Sequence, residues 1–172
     1  MKIEILVGNV LDVPADVLIS TANPSLQMTG GVNLAIILRP QGEHVYEELQ
    51  RYLRSTGKRY ADPGTVVCTG PASLPVKYIL HAVSITPSYD SSIELVTQTI
   101  VRALTQAREL HAKIVTIPAL ATGFGPLLME EFATALRQAT LLDWTPLGTL
   151  KVVLRHEEEA EKVRGVLRQP LR

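Results

Sequence analysis

Apolar positions along the chain follow two rhythms that take turns. Lys2 to Val7 (KIEILV) alternates polar and apolar residues, the rhythm of a strand at a sheet edge or with one wet face. Val17-Leu18-Ile19 is instead a short unbroken apolar run, as in a strand covered on both faces. From Val32 to Leu38 apolar residues recur at helical spacing and stop before Pro40, which disfavours helix in the residue ahead of it. Glu43 to Leu53 (EHVYEELQRYL) gathers Val45, Tyr46, Leu49 and Leu53 on one helical face. Pro63-Gly64 turns the chain into Thr65 to Cys68, and Lys77 to Val83 (KYILHAV) reads as another strand. A long helix is predicted from Ser91 to Leu110, opening on serines that can cap it. Ile114 to Ile117 is a strand halted by Pro118, Met129 to Leu142 is helical, Leu150 to Leu154 is a last strand, and Glu157 to Leu167 is a charged final helix. The glutamates opening that helix, Glu157, Glu158 and Glu159, complement the positive end of its dipole.

Strands alternating with helices predict an α/β fold: a three-layer α/β/α sandwich with a mixed, mostly parallel central sheet, since each parallel crossover needs a helix to return the chain. Ligands of such sheets lie beyond the carboxyl ends of the strands. No repeat, low-complexity stretch or linker divides the sequence, so a single domain over residues 1–172 is expected, with the tail from Arg168 to Arg172 fraying.

Two glycine-bearing loops are predicted at that rim. TANPSLQMTGGVNLAI (Thr21 to Ile36) leaves the second strand, and PALATGFGP (Pro118 to Pro126) leaves the strand ending at Ile117. Glycine permits positive φ and close backbone approach, so a glycine turn ahead of a helix aims several N–H groups at one point, and the helix N-terminus adds partial positive charge. That is the chemistry of a phosphate cradle. The spacing fits neither a Walker loop, lacking Gly-Lys-Ser/Thr, nor a dinucleotide fingerprint, lacking G-x-G-x-x-G at a helix start. Charge narrows the partners further. With 17 Lys and Arg against 17 Asp and Glu, no whole-molecule field draws the chain to nucleic acid or an anionic membrane, and an anion has to be gripped locally.

The remaining chemistry is sparse. The single cysteine, Cys68, lies in an apolar run and reads as a packing residue, consistent with a reducing compartment. His44, His81, His111 and His156 show no ligand spacing with it, so no metal and no other cofactor is expected. Asp62 and Asp90 stand in turn contexts that favour bonding to their own backbone. No apolar run approaches the roughly 20 residues of a membrane span and no signal core opens the chain, so a cytoplasmic protein without membrane contact is expected.

Four segments resemble the macro domain, the ADP-ribose-binding α/β/α module, and the similarity runs from Ile5 to about Leu154. Gly8-Asn9-Val10 resembles the family's Gly-Asp-Ile; Ala15 to Asn23 (ADVLISTAN) resembles D-A-I-V-N-A-A-N; Gly30 to Ile36 (GGVNLAI) resembles G-G-V-D-G-A-I; and Ile117 to Gly123 (IPALATG) resembles I-P-A-I-S-T-G. Leu80-His81-Ala82-Val83 is similar to the family's I-H-x-V strand, where the imidazole is mostly structural. The resemblance implies binding of ADP-ribose or an ADP-ribosylated protein or nucleic acid. Gly30, Gly31 and Val32 with Thr122, Gly123 and Phe124 would clasp the diphosphate by backbone N–H groups, Asn23 would bond the distal ribose, and Asn9 would stand at the adenine-reading position. Val10, Ala22, Asn33, Ala121 and Gly125 complete the implied ligand-binding set, with Arg155 and His156 on the adenine side.

Departures from the family pattern bear on activity. Asn9 replaces an Asp, and its carboxamide oxygen can still accept from an adenine amino group with less charge assistance. Ser20 replaces the first Asn of N-A-A-N. Asn33 replaces the Asp that hydrolytic members are thought to use on a water near the anomeric carbon; with Asn23 it is the implied catalytic pair, and an amide is a poor base. Leu34 and Pro126 replace glycines, and Pro126 removes an N–H; a one-residue shift puts Phe124 at the family's aromatic position instead. Three functions follow: an ADP-ribose-binding module; a hydrolase of reduced activity that removes ADP-ribose from acidic side chains or from O-acyl-ADP-ribose; or a scaffold without a pocket.

Overall fold

Strands β1 (Lys2–Val7), β2 (Val17–Ala22), β3 (Val66–Thr69), β4 (Tyr78–Val83), β5 (Ile114–Ile117) and β6 (Thr149–Leu154), with helices α1 (Gly31–Ile37), α2 (Gly42–Ser55), α3 (Ile93–Glu109), α4 (Met129–Thr140) and α5 (Glu157–Leu167), make up the computed structural model, which describes residues 1–169. Part of the tail expected to fray, residues 170–172, lies outside the described residues. The strands form one six-stranded sheet in the order β1-β6-β5-β2-β4-β3, parallel throughout except for the antiparallel β3–β4 pair. Five parallel strands therefore bring their carboxyl ends to one rim.

Alternation along the central strands divides the interior. Ile19, Leu80 and Val152 face α3, α4 and α5, where Ile100, Leu104, Phe132, Leu136 and Val163 cover them. Leu18, Ile79 and Val153 face the other way, onto Ile36 of α1 and Leu49 of α2. Burying each such side chain stabilises the fold by about 1.5–3 kcal/mol. β2 outruns its apolar stretch, continuing through Ser20 and Thr21 to Ala22, because its backbone pairs with β4 as far as Ala22↔Val83 and the Ser20 hydroxyl finds a buried partner. Helix starts are capped as their sequences suggest. Ser92 Oγ accepts from Leu95 N–H at α3 (3.1 Å), and Glu159 Oε2 accepts from the N–H groups of Arg155 and His156 at α5 (3.0 and 3.2 Å).

Cys68 is not a packing residue. β3 is an edge strand whose alternation turns Val67 and Thr69 inward and leaves Cys68 exposed. Partial desolvation of the sulfur, and then the Glu48 carboxylate, raise its pKa, so the group is a thiol at neutral pH.

Asp16 fixes the opposite, amino-end rim. Its carboxylate Oδ2 accepts from the N–H groups of Lys113 (2.8 Å) and Ile114 (3.0 Å), its Oδ1 pairs with Lys77 Nζ (2.8 Å), and its carbonyl accepts from Lys77 N–H at 2.9 Å. One side chain thus ties together the starts of β2, β4 and β5. The Lys77 ammonium, followed by the two backbone donors, holds the carboxyl well below its ordinary value of 3.8, at about 2. Since folding lowers this pKa, the stabilisation is complete above 3.8 and is lost as pH falls towards about 2. We expect Asp16→Asn to unfold about 1–2 kcal/mol more easily at neutral pH. Denaturant titrations of the two proteins should converge near pH 2; a difference that persists there would mean that the carboxylate charge is not what stabilises.

Candidate functional site

The segments singled out in the sequence all emerge at the carboxyl rim. After β1, Gly8 N–H donates to Leu154 O (2.8 Å), and Asn9 caps a 3-10 turn at Val10–Asp12. Asn9 Oδ1 accepts from Leu11 N–H (3.2 Å), and its Nδ2 donates to Asp12 Oδ2 (2.9 Å). Asp12 Oδ1 in turn receives Arg39 Nη2 at 2.7 Å. The guanidinium, and then the Asn9 amide, hold the Asp12 carboxyl below its ordinary value. Neither Asp12 nor Arg39 was singled out in the sequence; the one signal was an acid three residues after Asn9, on the same side of a helical turn.

After β2, the Asn23 carboxamide folds its own loop. Nδ2 donates to Gln27 O (2.9 Å), while Oδ1 accepts from Gln27 N–H and Ser25 Oγ (both 3.0 Å). Leu26, at φ 52, is fully buried beneath this turn. Gly31 opens α1 at φ 57, where a Cβ is disfavoured. A Cβ on Gly30 would lie 2.6 Å from the Phe124 ring, so the two loops meet at this point and Gly30 is small because Phe124 covers it. Phe124 is nonetheless 73% exposed. Its loop is closed by Leu127 N–H donating to Ala121 O (3.0 Å), with Ala121 at φ 59 and with Thr122, Gly123 and Gly125 inside the turn. Leu34, 40% exposed, and Pro126, also exposed, stand at the surface. Arg155 and His156 follow β6 with exposed side chains. Among the described residues, no three His, Cys, Asp or Glu side chains are grouped to hold a metal, and no helix is long and apolar enough to cross a membrane.

Asn33 points into the protein. It is 2% exposed, and its Oδ1 accepts from Ser20 Oγ (2.9 Å) and lies 3.3 Å from His81 Nδ1. His81 is fully buried, and desolvation lowers its pKa to about 3, so the ring is neutral. Asn33 Oδ1 can only accept, so the ring proton sits on Nδ1; Nε2 lies 2.9 Å from Thr69 Oγ1, whose one hydroxyl proton is shared with Gly70 O at 3.1 Å. Ser20, Asn33, His81 and Thr69 therefore form one buried chain of hydrogen bonds from α1 across β2 and β4 to β3. One donor remains over: Asn33 Nδ2 is buried and has no partner among the described residues.

The Macro domain family model matches residues 19–136. An uncharacterised protein of Pyrobaculum aerophilum is 30% identical over 99% of this chain and 93% of its own length. An O-acetyl-ADP-ribose deacetylase of Klebsiella pneumoniae is 30% identical over 95% of each chain. Among solved structures, a macrodomain variant of Oceanobacillus iheyensis with ADPR aligns at a TM-score of 0.84 with 25% identity, over 96% of this chain and 91% of that one. The macrodomain from the same organism with ADP aligns at 0.83 with 26% identity, over 96% and 89%.

The neutral state of His81 makes a measurable demand. Folding lowers its pKa from 6.5 to about 3, so between those values the unfolded chain binds a proton that the folded one refuses. Stability should fall as pH drops through this window, by up to about 1.4 kcal/mol per pH unit. In NMR titrations the His81 ring resonances should stay fixed between pH 5 and 8; a His81 midpoint near 6.5 would contradict the neutral chain.

Proposed function

Because the chain belongs to the macro domain family, we propose that it binds ADP-ribose, free or attached to a protein or nucleic acid, in the cleft between its two rim loops. The observation that carries this reading is the meeting of Gly30 with Phe124: two glycine-bearing loops converge at the carboxyl ends of parallel strands, and neither has a Lys or Arg between Thr21 and Gly31 or between Pro118 and Pro126. A diphosphate held there is held by oriented peptide N–H groups. On this reading Gly30, Gly31, Val32, Ala121, Thr122, Gly123 and Gly125 line the diphosphate, and Phe124 lies against the sugar next to it. Asn23 and Ala22 border the distal ribose, and the second hydrogen on Asn23 Nδ2 is the donor left for a hydroxyl. Asn33, 2% exposed and turned into the protein, holds α1 in place beneath the loop instead of touching the ligand. Asn9 and Val10 flank adenine on one side, Arg155 and His156 on the other; the Arg155 guanidinium plane suits stacking on the base.

A hydrolytic reading draws support from the Klebsiella pneumoniae relative, which is named an O-acetyl-ADP-ribose deacetylase. The chemistry of the cleft favours binding over turnover. Asn33 has no basic atom, its oxygen is already engaged by Ser20 and His81, and His81 is buried and neutral. Turnover would have to come from Asn23, the diphosphate and the loop amides alone.

Titration calorimetry with ADP-ribose should give about −7 to −9 kcal/mol, in the micromolar range, with AMP at least tenfold weaker for lack of one phosphate and the distal ribose. Gly31→Val, which forces a β-branched residue to φ 57, should abolish the heat while the thermal transition survives. No heat at millimolar ADP-ribose would overturn the assignment. With O-acetyl-ADP-ribose we expect no acetate release above the uncatalysed rate, and release well above it would favour the hydrolase.

A further inference from the structure

A cavity of about 500 Å³ opens at the amino-end pole of the sheet, away from the cleft, between β1 and the carboxyl ends of α4 and α5. Its volume lies in the range of small-molecule sites. Ile3 and Ile5 of β1 and Leu141 give it an apolar wall; Arg137, Arg164 and Arg168 face the same space, and among the described residues no Asp or Glu lines it.

The three cations are in different states. Arg164 is occupied, since its Nη1 donates to Glu157 and Glu161. Arg168 is exposed and makes no ion pair among the described residues. Arg137, in the last turn of α4, has its Nη2 buried without a hydrogen-bond partner among the described residues. A guanidinium cannot shed its proton, so this is a buried charged donor with nothing to donate to. The α4 dipole eases the charge but gives Nη2 no acceptor. Buried donors of this kind are rare in folded proteins and mark a missing partner.

We propose that this cavity binds a small amphipathic organic anion. A carboxylate or phosphate-ester head sits on the Arg137 fork, with Arg168 closing over it, and an apolar body lies along Ile3, Ile5 and Leu141. The planar fork matches both oxyanions, and the apolar wall sets them apart from inorganic ions. The site is separate from the nucleotide cleft, so its occupancy and the ADP-ribose reading stand or fall independently.

Calorimetry and thermal unfolding of the full chain with octanoate, octyl phosphate, inorganic phosphate and 1-octanol test it. Octanoate or octyl phosphate should bind one to one with a Kd below about 1 mM, inorganic phosphate at least about tenfold more weakly, and 1-octanol not at all. Arg137→Met, which keeps an unbranched stem and removes the fork, should lose octyl-anion binding at least about tenfold while ADP-ribose affinity stays unchanged. Arg168→Gln, at an exposed position, should weaken it severalfold and decides the matter should the Arg137 variant not fold. Absence of saturable binding by both octyl anions, or binding indifferent to both substitutions, overturns the proposal. Inorganic phosphate binding as tightly as octyl phosphate overturns the apolar half of it.

Discussion

A buried chain of hydrogen bonds, Ser20 to Asn33 to His81 to Thr69, ties the first turn of α1 to the middle of the sheet. Two glycines and an Asx turn are soft elements, and a site built from peptide N–H groups works only if those groups already point at the ligand before it arrives. The Asn33 carboxamide supplies that rigidity by accepting from two directions. The arrangement depends in turn on a neutral imidazole, because a charged ring would leave an uncompensated charge in the interior. Desolvation keeps the ring neutral. The Asn23 carboxamide performs the corresponding task one loop earlier, closing the turn to Gln27.

The same constraint explains a neutral protein that handles an anion. With 17 charges of each sign and none in the two loops, the proposed site would replace electrostatic capture by directed dipoles at the carboxyl ends of parallel strands. At the other pole, Arg137 and Arg168 border the cavity beside β1 without an ion pair among the described residues. The two proposed sites would draw on opposite chemistries, a fixed guanidinium against an apolar wall in one case and backbone amides in the other.

Much of this was legible in the sequence, and the reason is period. The bounds of β1, β5 and α5 follow directly from alternation, from a flanking proline and from charged helix ends. The loops could be placed on one rim because parallel strands leave no other choice once the fold class is read. What the sequence did not disclose depends on facing. A seven-residue α1 with apolar residues on most sides does not say whether Asn33 turns inward or to the cleft, and only the packing against β2 and β4 decides it. Cys68 was misread because Val66 and Val67 beside it are apolar, while the exposure of an edge strand is a property of the sheet. Thr69, Asp12 and Arg39 act through partners distant in sequence or through a turn, and the Arg137 cavity needs three elements brought together.

The central claim is that peptide N–H groups of the two rim loops grip the diphosphate. Amide proton and nitrogen shifts followed through a titration with ADP-ribose address it residue by residue. The account predicts the largest downfield proton shifts at Gly30, Gly31 and Val32 and at Thr122, Gly123 and Gly125, little changed by added salt. Shifts confined to other surfaces, or a response in those loops that fades with ionic strength as a cation-driven contact does, would contradict it.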